Sequence, residues 1–182
     1  MTNKGIMRGL LLVLLLAITV LLCSCVQKSS ESEIIGKWYL YNVVTYEPSL
    51  TLYGEDEPFF VFYEDHTGEL LHKEYVNMSW VYSNDTITIN VADWEIMQLD
   101  TIVISQVYCK NGYLFGVMDD TYDRYILGLF DSYKKAVRFY EVLTEYITAN
   151  PDVGPNEDDY NTESEFFGAT IDFIVENIIP LV

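Results

Sequence analysis

Between residues 34 and 130 the chain runs in short stretches of alternating apolar and polar residues, each ended by tight-turn chemistry, with no helical-period stretch between them. Such a series folds as a meander, because antiparallel neighbours need only a hairpin while parallel ones need a long crossover. Trp38, Leu40 and Asn42 share one face of a first strand, with Tyr39, Tyr41 and Val43 on the other. After a long connection come Phe59-Phe60-Val61-Phe62-Tyr63 and an Asp65-His66-Thr67-Gly68 turn, in which Gly68 is available for positive φ; residues 69–75 return. Met78, Trp80 and Tyr82 alternate with Ser79, Val81 and Ser83, and Asn84-Asp85 turns the chain into the strand 86–91. A strand over 101–108 meets Asn111-Gly112, the strongest short hairpin signal. Residues 113–118, an Asp119-Asp120-Thr121 turn and residues 124–130 complete eight strands. Closing such a sheet on itself removes its edges. The expected fold is mainly β: an eight-stranded antiparallel up-and-down barrel followed by two C-terminal helices.

Beyond residue 130 the apolar period changes from two to that of a helix. Asp131-Ser132 can cap a helix whose apolar stripe is Tyr133, Ala136, Val137, Tyr140, Leu143 and Ile147, ended by Pro151. An acidic linker runs to Asn161. Thr162-Glu163-Ser164-Glu165 then fits a capping box opening a second helix with Phe166, Phe167, Ile171, Ile174, Val175 and Ile178 apolar. The expected division is a signal segment over 1–24, a polar tether over 25–33, the barrel with its packed helix over 34–150, and linker plus second helix over 151–182.

The start of the chain serves targeting. Lys4 and Arg8 precede an apolar run over residues 10–22, broken only by Thr19. As a helix this run covers roughly 20 Å, short of the roughly 30 Å hydrocarbon core, which fits a cleaved export signal better than a spanning helix. Leu22-Cys23-Ser24-Cys25 resembles the bacterial lipobox, in which a small residue precedes the cysteine that is acylated and becomes the mature N-terminus. The resemblance implies lipidation at Cys25, with the membrane as partner through two or three acyl chains, which hold where one does not. Val26, not Asp, follows Cys25, and by resemblance to the commonest Gram-negative sorting rule this favours the outer membrane of a bacterial cell envelope. With Cys23 removed and Cys25 acylated, only Cys109 is left, so no intramolecular disulfide forms; Cys109 reads as a small apolar filler.

Cleavage would remove two of the ten basic residues and none of the 28 acidic ones, leaving 8 against 28 and a formal charge of −20. That field repels phosphate backbones and excludes nucleic acid as a partner. All 27 aromatic residues lie after Cys25, more than a disordered chain carries. A monomer of one compact domain is expected.

Gly36-Lys37-Trp38 at the head of the first strand resembles the G-x-W motif that opens the lipocalin barrel. Asp119-Asp120-Thr121-Tyr122-Asp123-Arg124-Tyr125 has the tyrosine spacing of the lipocalin T-D-Y-x-x-Y turn, with Thr and Asp exchanged. Over residues 34–149 the chain is similar to bacterial lipocalin-like lipoproteins. The resemblance implies a calyx whose closed end is plugged by Trp38, a helix against the barrel, and a pocket for a small apolar molecule. The candidate lining is Trp38, Phe60, Phe62, Trp80, Tyr82, Ile87, Ile89, Ile102 and Ile104. With so negative a chain, and only Lys37, Lys73, Lys110 and Arg124 in or beside the strands, the ligand is expected to be uncharged or cationic. The alternative is a structural or interaction lipoprotein with a solid core, whose tyrosines and acidic face meet a protein or glycan.

Nothing points to catalysis. Hydrolase, P-loop, zincin and dinucleotide motifs are absent from the sequence, and neither cofactor nor metal is implied. His66 in a turn and His72 in a strand lack thiol partners for zinc. Acid pairs such as Glu64/Asp65 and Asp119/Asp120 read as turn residues. The run Asp152, Asn156, Glu157, Asp158, Asp159 misses calcium-loop spacing, with Gly154 third from Asp152. Asn77 and Asn84 head formal N-glycosylation sequons. Asp85-Thr86-Ile87 and Asp100-Thr101-Ile102 resemble an O-glycosylation motif of exported proteins in Gram-negative anaerobes, which makes Thr86 and Thr101 candidate glycan sites.

Overall fold

The structure is a computed structural model that describes residues 29–43, 57–72, 74–92, 101–119, 124–151 and 153–182. A short helix α1 (Glu31–Ile34) leads into eight strands: β1 (Gly36–Val43), β2 (Phe60–Phe62), β3 (Thr67–His72), β4 (Glu74–Ser83), β5 (Thr86–Val91), β6 (Thr101–Lys110), β7 (Tyr113–Asp119) and β8 (Arg124–Phe130). Helices α2 (Tyr133–Ala149) and α3 (Glu163–Phe173) come after them. The strands pair antiparallel in chain order, and β1 returns to β8 through Tyr39↔Phe130 to Val43↔Ile126, closing the barrel. This is the expected eight-stranded barrel with two C-terminal helices.

The turns distinguish the two rims. At one rim Asn84 (φ 52°) and Asp85 (φ 56°) join β4 to β5, and Asn111 (φ 54°) and Gly112 (φ 76°) join β6 to β7. Both pairs take positive φ at two successive residues, the type I′ geometry that matches strand twist. The reversal between β2 and β3 lies at this same rim, which we call the short-turn rim. β1 and β5 end, and β6 begins, at the opposite rim, which we call the long-loop rim.

Two reversals differ from expectation. Gly68 does not supply the positive φ of its turn; His66 does (φ 64°), while Asp65 Oδ1 accepts from the Thr67 N–H (3.0 Å) and hydroxyl (2.6 Å) and stabilises the bend. Gly68 is already in β3, opposite Phe62 and Met78, and there a Cβ would sit 2.3 Å from the Val61 carbonyl oxygen and 2.6 Å from Met78 Cε. Its missing side chain gives the core room. The return expected over 69–75 is divided: β3 ends at His72 and β4 begins at Glu74, and Val76, paired with Leu70, adds an inward apolar residue to β4.

Alternation sends two sets of side chains to two cores. The inner set, from Trp38 and Phe60 round to Leu129, fills the barrel. The outer set of β7 and β8 (Phe115, Val117, Ile126 and Phe130) packs against Ala136, Phe139, Val142 and Leu143 of α2 and against Phe166, Phe167 and Ile171 of α3. These two strands are therefore apolar on both faces. The buried stripe of α2 is rotated from the expected one: Phe139 and Val142 are buried, Tyr140 is partly buried and Ile147 is 42% exposed. The Phe139 ring meets Phe115 and Phe130 at 5.5 and 5.0 Å, and that aromatic contact decides the rotation. Caps form where expected, with Ser132 Oγ accepting from the Lys135 N–H and Thr162 Oγ1 from the Glu165 N–H.

The register of β6 shifts between Ser105 and Tyr108, with Gln106 at φ 53°. This bulge lets Ile104 and Val107, three apart, both enter the core. It also sends the Gln106 amide outward to the Ser164 carbonyl (3.2 Å) and hydroxyl (2.7 Å) at the start of α3.

Gly116 is as restricted as Gly68, since a Cβ there would meet Ile104 Cγ2 at 2.4 Å and the Ser105 carbonyl at 3.1 Å. Gly68→Ala and Gly116→Ala are each expected to lower stability by about 1–3 kcal/mol through overpacking. Urea unfolding checks this, as a lower midpoint at unchanged slope.

Candidate functional site

The nine candidate lining residues all belong to one inward cluster: Trp38 from β1, Phe60 and Phe62 from β2, Trp80 and Tyr82 from β4, Ile87 and Ile89 from β5, and Ile102 and Ile104 from β6. Tyr82 is partly buried and the other eight are buried. Phe60, Ile87, Ile89 and Ile104 expose 0% of their surface, as do Leu70, Leu114 and Leu129 across the barrel. A side chain with no accessible surface touches no void wide enough for water, so what fills the space around these seven is other side chains. Phe60 stacks on Phe62 at 5.5 Å, and Phe62 meets Trp80 edge-on at 5.2 Å. Both buried indole N–H groups are satisfied, Trp38 donating to the Ile34 carbonyl (2.6 Å) and Trp80 to the Thr67 carbonyl (3.0 Å).

Charge stays outside. The inner cluster holds no ionisable group among the described residues except the Cys109 thiol and the Tyr82 and Tyr125 phenols. Arg124 is turned to the exterior, pairing with Asp119 across the β7–β8 reversal and with Glu163 (3.5 Å) at the start of α3. Lys73 is outside the described residues. Toward the long-loop rim, Met118 and Tyr125 are only partly buried, and the Tyr125 hydroxyl donates to Met118 Sδ (3.3 Å).

The short-turn rim is closed by residues whose composition suggests a tether. Ser29 makes three links to strands far along the chain. Its hydroxyl donates to the Val107 carbonyl (3.2 Å) and accepts from the Cys109 N–H (2.6 Å), and its carbonyl accepts from the Tyr82 hydroxyl (3.0 Å). Ile34, 0% exposed, enters the core beside Trp38, and the Cys109 thiol donates to the Glu33 carbonyl (3.2 Å). His66 Nε2 meets Glu31 Oε1 at 2.9 Å across the same opening. Burying Ile34 contributes about 1.5–3 kcal/mol, and each neutral hydrogen bond about 0.5–1.5 kcal/mol. The sequence does carry a signal for this closure: Ser30-Glu31-Ser32-Glu33 has capping-box spacing, and the Ser30 N–H donates to the Glu33 carboxylate (3.0 Å). The Ser-rich, acidic composition masks it.

The remaining candidates scatter. Cys25, the side chain of His72, Asp120 and Asp152 lie outside the described residues. Asn156 Oδ1 accepts from the Asp158 N–H within the acidic linker. Thr86 is at the short-turn rim and Thr101 at the long-loop rim, its hydroxyl donating to Asn90 Oδ1 (3.3 Å). Among the described residues no group of three or more His, Cys, Asp or Glu gathers as a metal site. On the outer wall, partial burial and then the Glu69 carboxylate raise the phenol pKa of Tyr63, while burial and then Glu57 raise that of Tyr75; each ring is 43% exposed. Comparison of the chain with protein-family models, with characterised proteins and with solved structures gave no match.

Beneath the closed rim, burial and then Glu33 push the Cys109 thiol up to about 12, and burial with Asp85 pushes the Tyr82 phenol up to about 12. Both groups hold their protons longer in the folded chain than in the unfolded one. Their contribution is complete below the ordinary thiol value of 9.0 and is lost as pH rises toward 12. The melting temperature is therefore expected to fall between pH 9 and 11, and less steeply in Cys109→Ala and Tyr82→Phe. At neutral pH, Ser29→Ala should raise the rate at which a thiol reagent modifies Cys109 several-fold without altering the far-ultraviolet circular dichroism.

Proposed function

We propose that this chain is a lipid-anchored protein of the bacterial cell envelope that acts without catalysis, presenting a rigid barrel from the membrane to a protein or glycan partner. Anchoring is supported by the lipobox-like Leu22-Cys23-Ser24-Cys25 and the basic residues before the apolar run. The observation that carries the role of the barrel is the complete burial of its central side chains, which supports reading the interior as a core rather than a container. Recognition then belongs to the outer surface, where Tyr63 and Tyr75 stand partly exposed beside Glu69 and Glu57. Tyrosine suits such a surface because a ring fixed by two torsions offers both apolar area and a hydroxyl.

A second reading, a lipocalin-like binding module for a small apolar molecule, is favoured by the partly buried Met118 and Tyr125 at the long-loop rim. A thioether beside a phenol is an adaptable lining, and an apolar guest gains about 0.8 kcal/mol for each CH₂ it buries.

Two measurements test these readings. Labelled fatty acid should enter the wild-type chain and be absent from Cys25→Ala; labelling that survives the substitution sinks the anchoring. The soluble domain lacking Cys25 is then titrated with a long-chain alcohol and its matched fatty acid. Neither should bind saturably if the core is solid. Saturable binding, tighter for the alcohol, selects the container reading instead.

A further inference from the structure

We infer that the short-turn rim of the barrel faces the anchoring membrane and that the long-loop rim faces away from it. This inference rests on the lipid-anchored reading above and adds an orientation to it. Ser29 is fixed to that rim by its three links to Tyr82, Val107 and Cys109, and Ile34 is sealed into the core five residues later. Only Val26, Gln27 and Lys28 separate Ser29 from Cys25. Four residue steps, even fully extended, span about 14 Å. The barrel is longer than that reach. Ser83 ends β4 at the short-turn rim, and Ala92, whose N–H donates to the Asn77 carbonyl, is at the opposite rim. From Asn77 to Ser83 the strand rises about 20 Å. With the barrel upright, the long-loop rim cannot be the one that meets the headgroups unless the segment from Ser29 to Ile34 leaves the barrel, which would uncover Ile34 and unpair Ser29; a barrel lying on its side would bring both rims equally close.

The charges of this rim define how it meets lipid. Glu31, Glu33, Glu64, Asp65, Asp85 and Asp131 are at or beside it, against Lys37, Lys110, Lys134 and Lys135, the last of which is held by Asp131 (2.8 Å), so acidic groups are in excess. A rim of this sign is repelled by anionic headgroups within a screening length of about 8–10 Å, which the tether's reach exceeds. The barrel therefore stands over the bilayer rather than docking on it, and the rim should approach zwitterionic lipid more closely than anionic lipid. The end of β5 and the start of β6 are then presented to the aqueous compartment.

The test uses the full chain expressed from Met1 with Cys109→Ala, carrying one fluorophore at Ser83→Cys or at Ala92→Cys, two positions exposed at opposite rims. Each purified protein is reconstituted into phosphatidylcholine vesicles containing a headgroup-linked nitroxide quencher. Quenching at position 83 should exceed that at position 92 by at least threefold. The difference should shrink when phosphatidylglycerol is added at low salt, and vanish when ten Gly/Ser residues are inserted between Lys28 and Ser29. Equal quenching at the two positions with the native tether, or stronger quenching at 92, overturns the orientation. Intact mass separates the two claims: an acylated Cys25 with equal quenching defeats the orientation alone, whereas a chain without acyl groups defeats the anchoring reading and the orientation with it.

Discussion

The pairing of β1 with β8 is the constraint on which the rest of the molecule depends. Until Tyr39 meets Phe130 and Val43 meets Ile126, the sheet has two open edges and its inward side chains have no opposite wall. Closure fixes how much volume lies inside, and the sequence meets that volume with large residues on some strands and none at selected points on others. Phe60, Phe62 and Trp80 crowd one side, and Gly68 and Gly116 are bare where a Cβ would collide with a carbonyl or a neighbouring methyl group. The bulge at Gln106 completes the fit by bringing Val107 inward after Ile104.

The same strands that close the sheet also found the second core. β7 and β8 are apolar on both faces, which in an open sheet would be an aggregation hazard and here is the seat for α2 and α3. Gln106 and Arg124 reach from the barrel wall to Ser164 and Glu163 in the first turn of α3, so the helix is positioned by polar contacts as well as by its aromatic face.

Much of this is legible because it is written in local patterns. Asn84-Asp85 and Asn111-Gly112 announce their turns, period-two alternation names the inward residues from Trp38 to Ile104, and Ser132 and Thr162 mark two helix starts. The features that escape such patterns depend on partners distant in sequence. Gly68 reads as a turn residue because nothing local shows that Val61 and Met78 press on it. The α2 stripe is ambiguous because 3.6-residue periodicity permits both Tyr140 and Phe139, and only the rings of Phe115 and Phe130 choose between them. Ser29 reads as tether because its partners are Val107 and Cys109. The proposed surface role is the least legible: a partner's footprint would lie in the relative placement of side chains from several strands, which no single stretch of sequence displays.

The bond from the Cys109 N–H to the Ser29 hydroxyl joins residues 80 positions apart, and Tyr82 and Val107 must already be in place to complete the site. In kinetic terms the closed rim is expected to form late. Hairpins such as β4–β5 and β6–β7 assemble from neighbours, whereas contacts of this separation wait for the slow loss of chain entropy that governs β-topologies, on the millisecond-to-second scale. Docking of Ser29 is therefore expected to be accepted only by a barrel in which Tyr82, Val107 and Cys109 are already in register, so it would discriminate a mature fold from a partly assembled one.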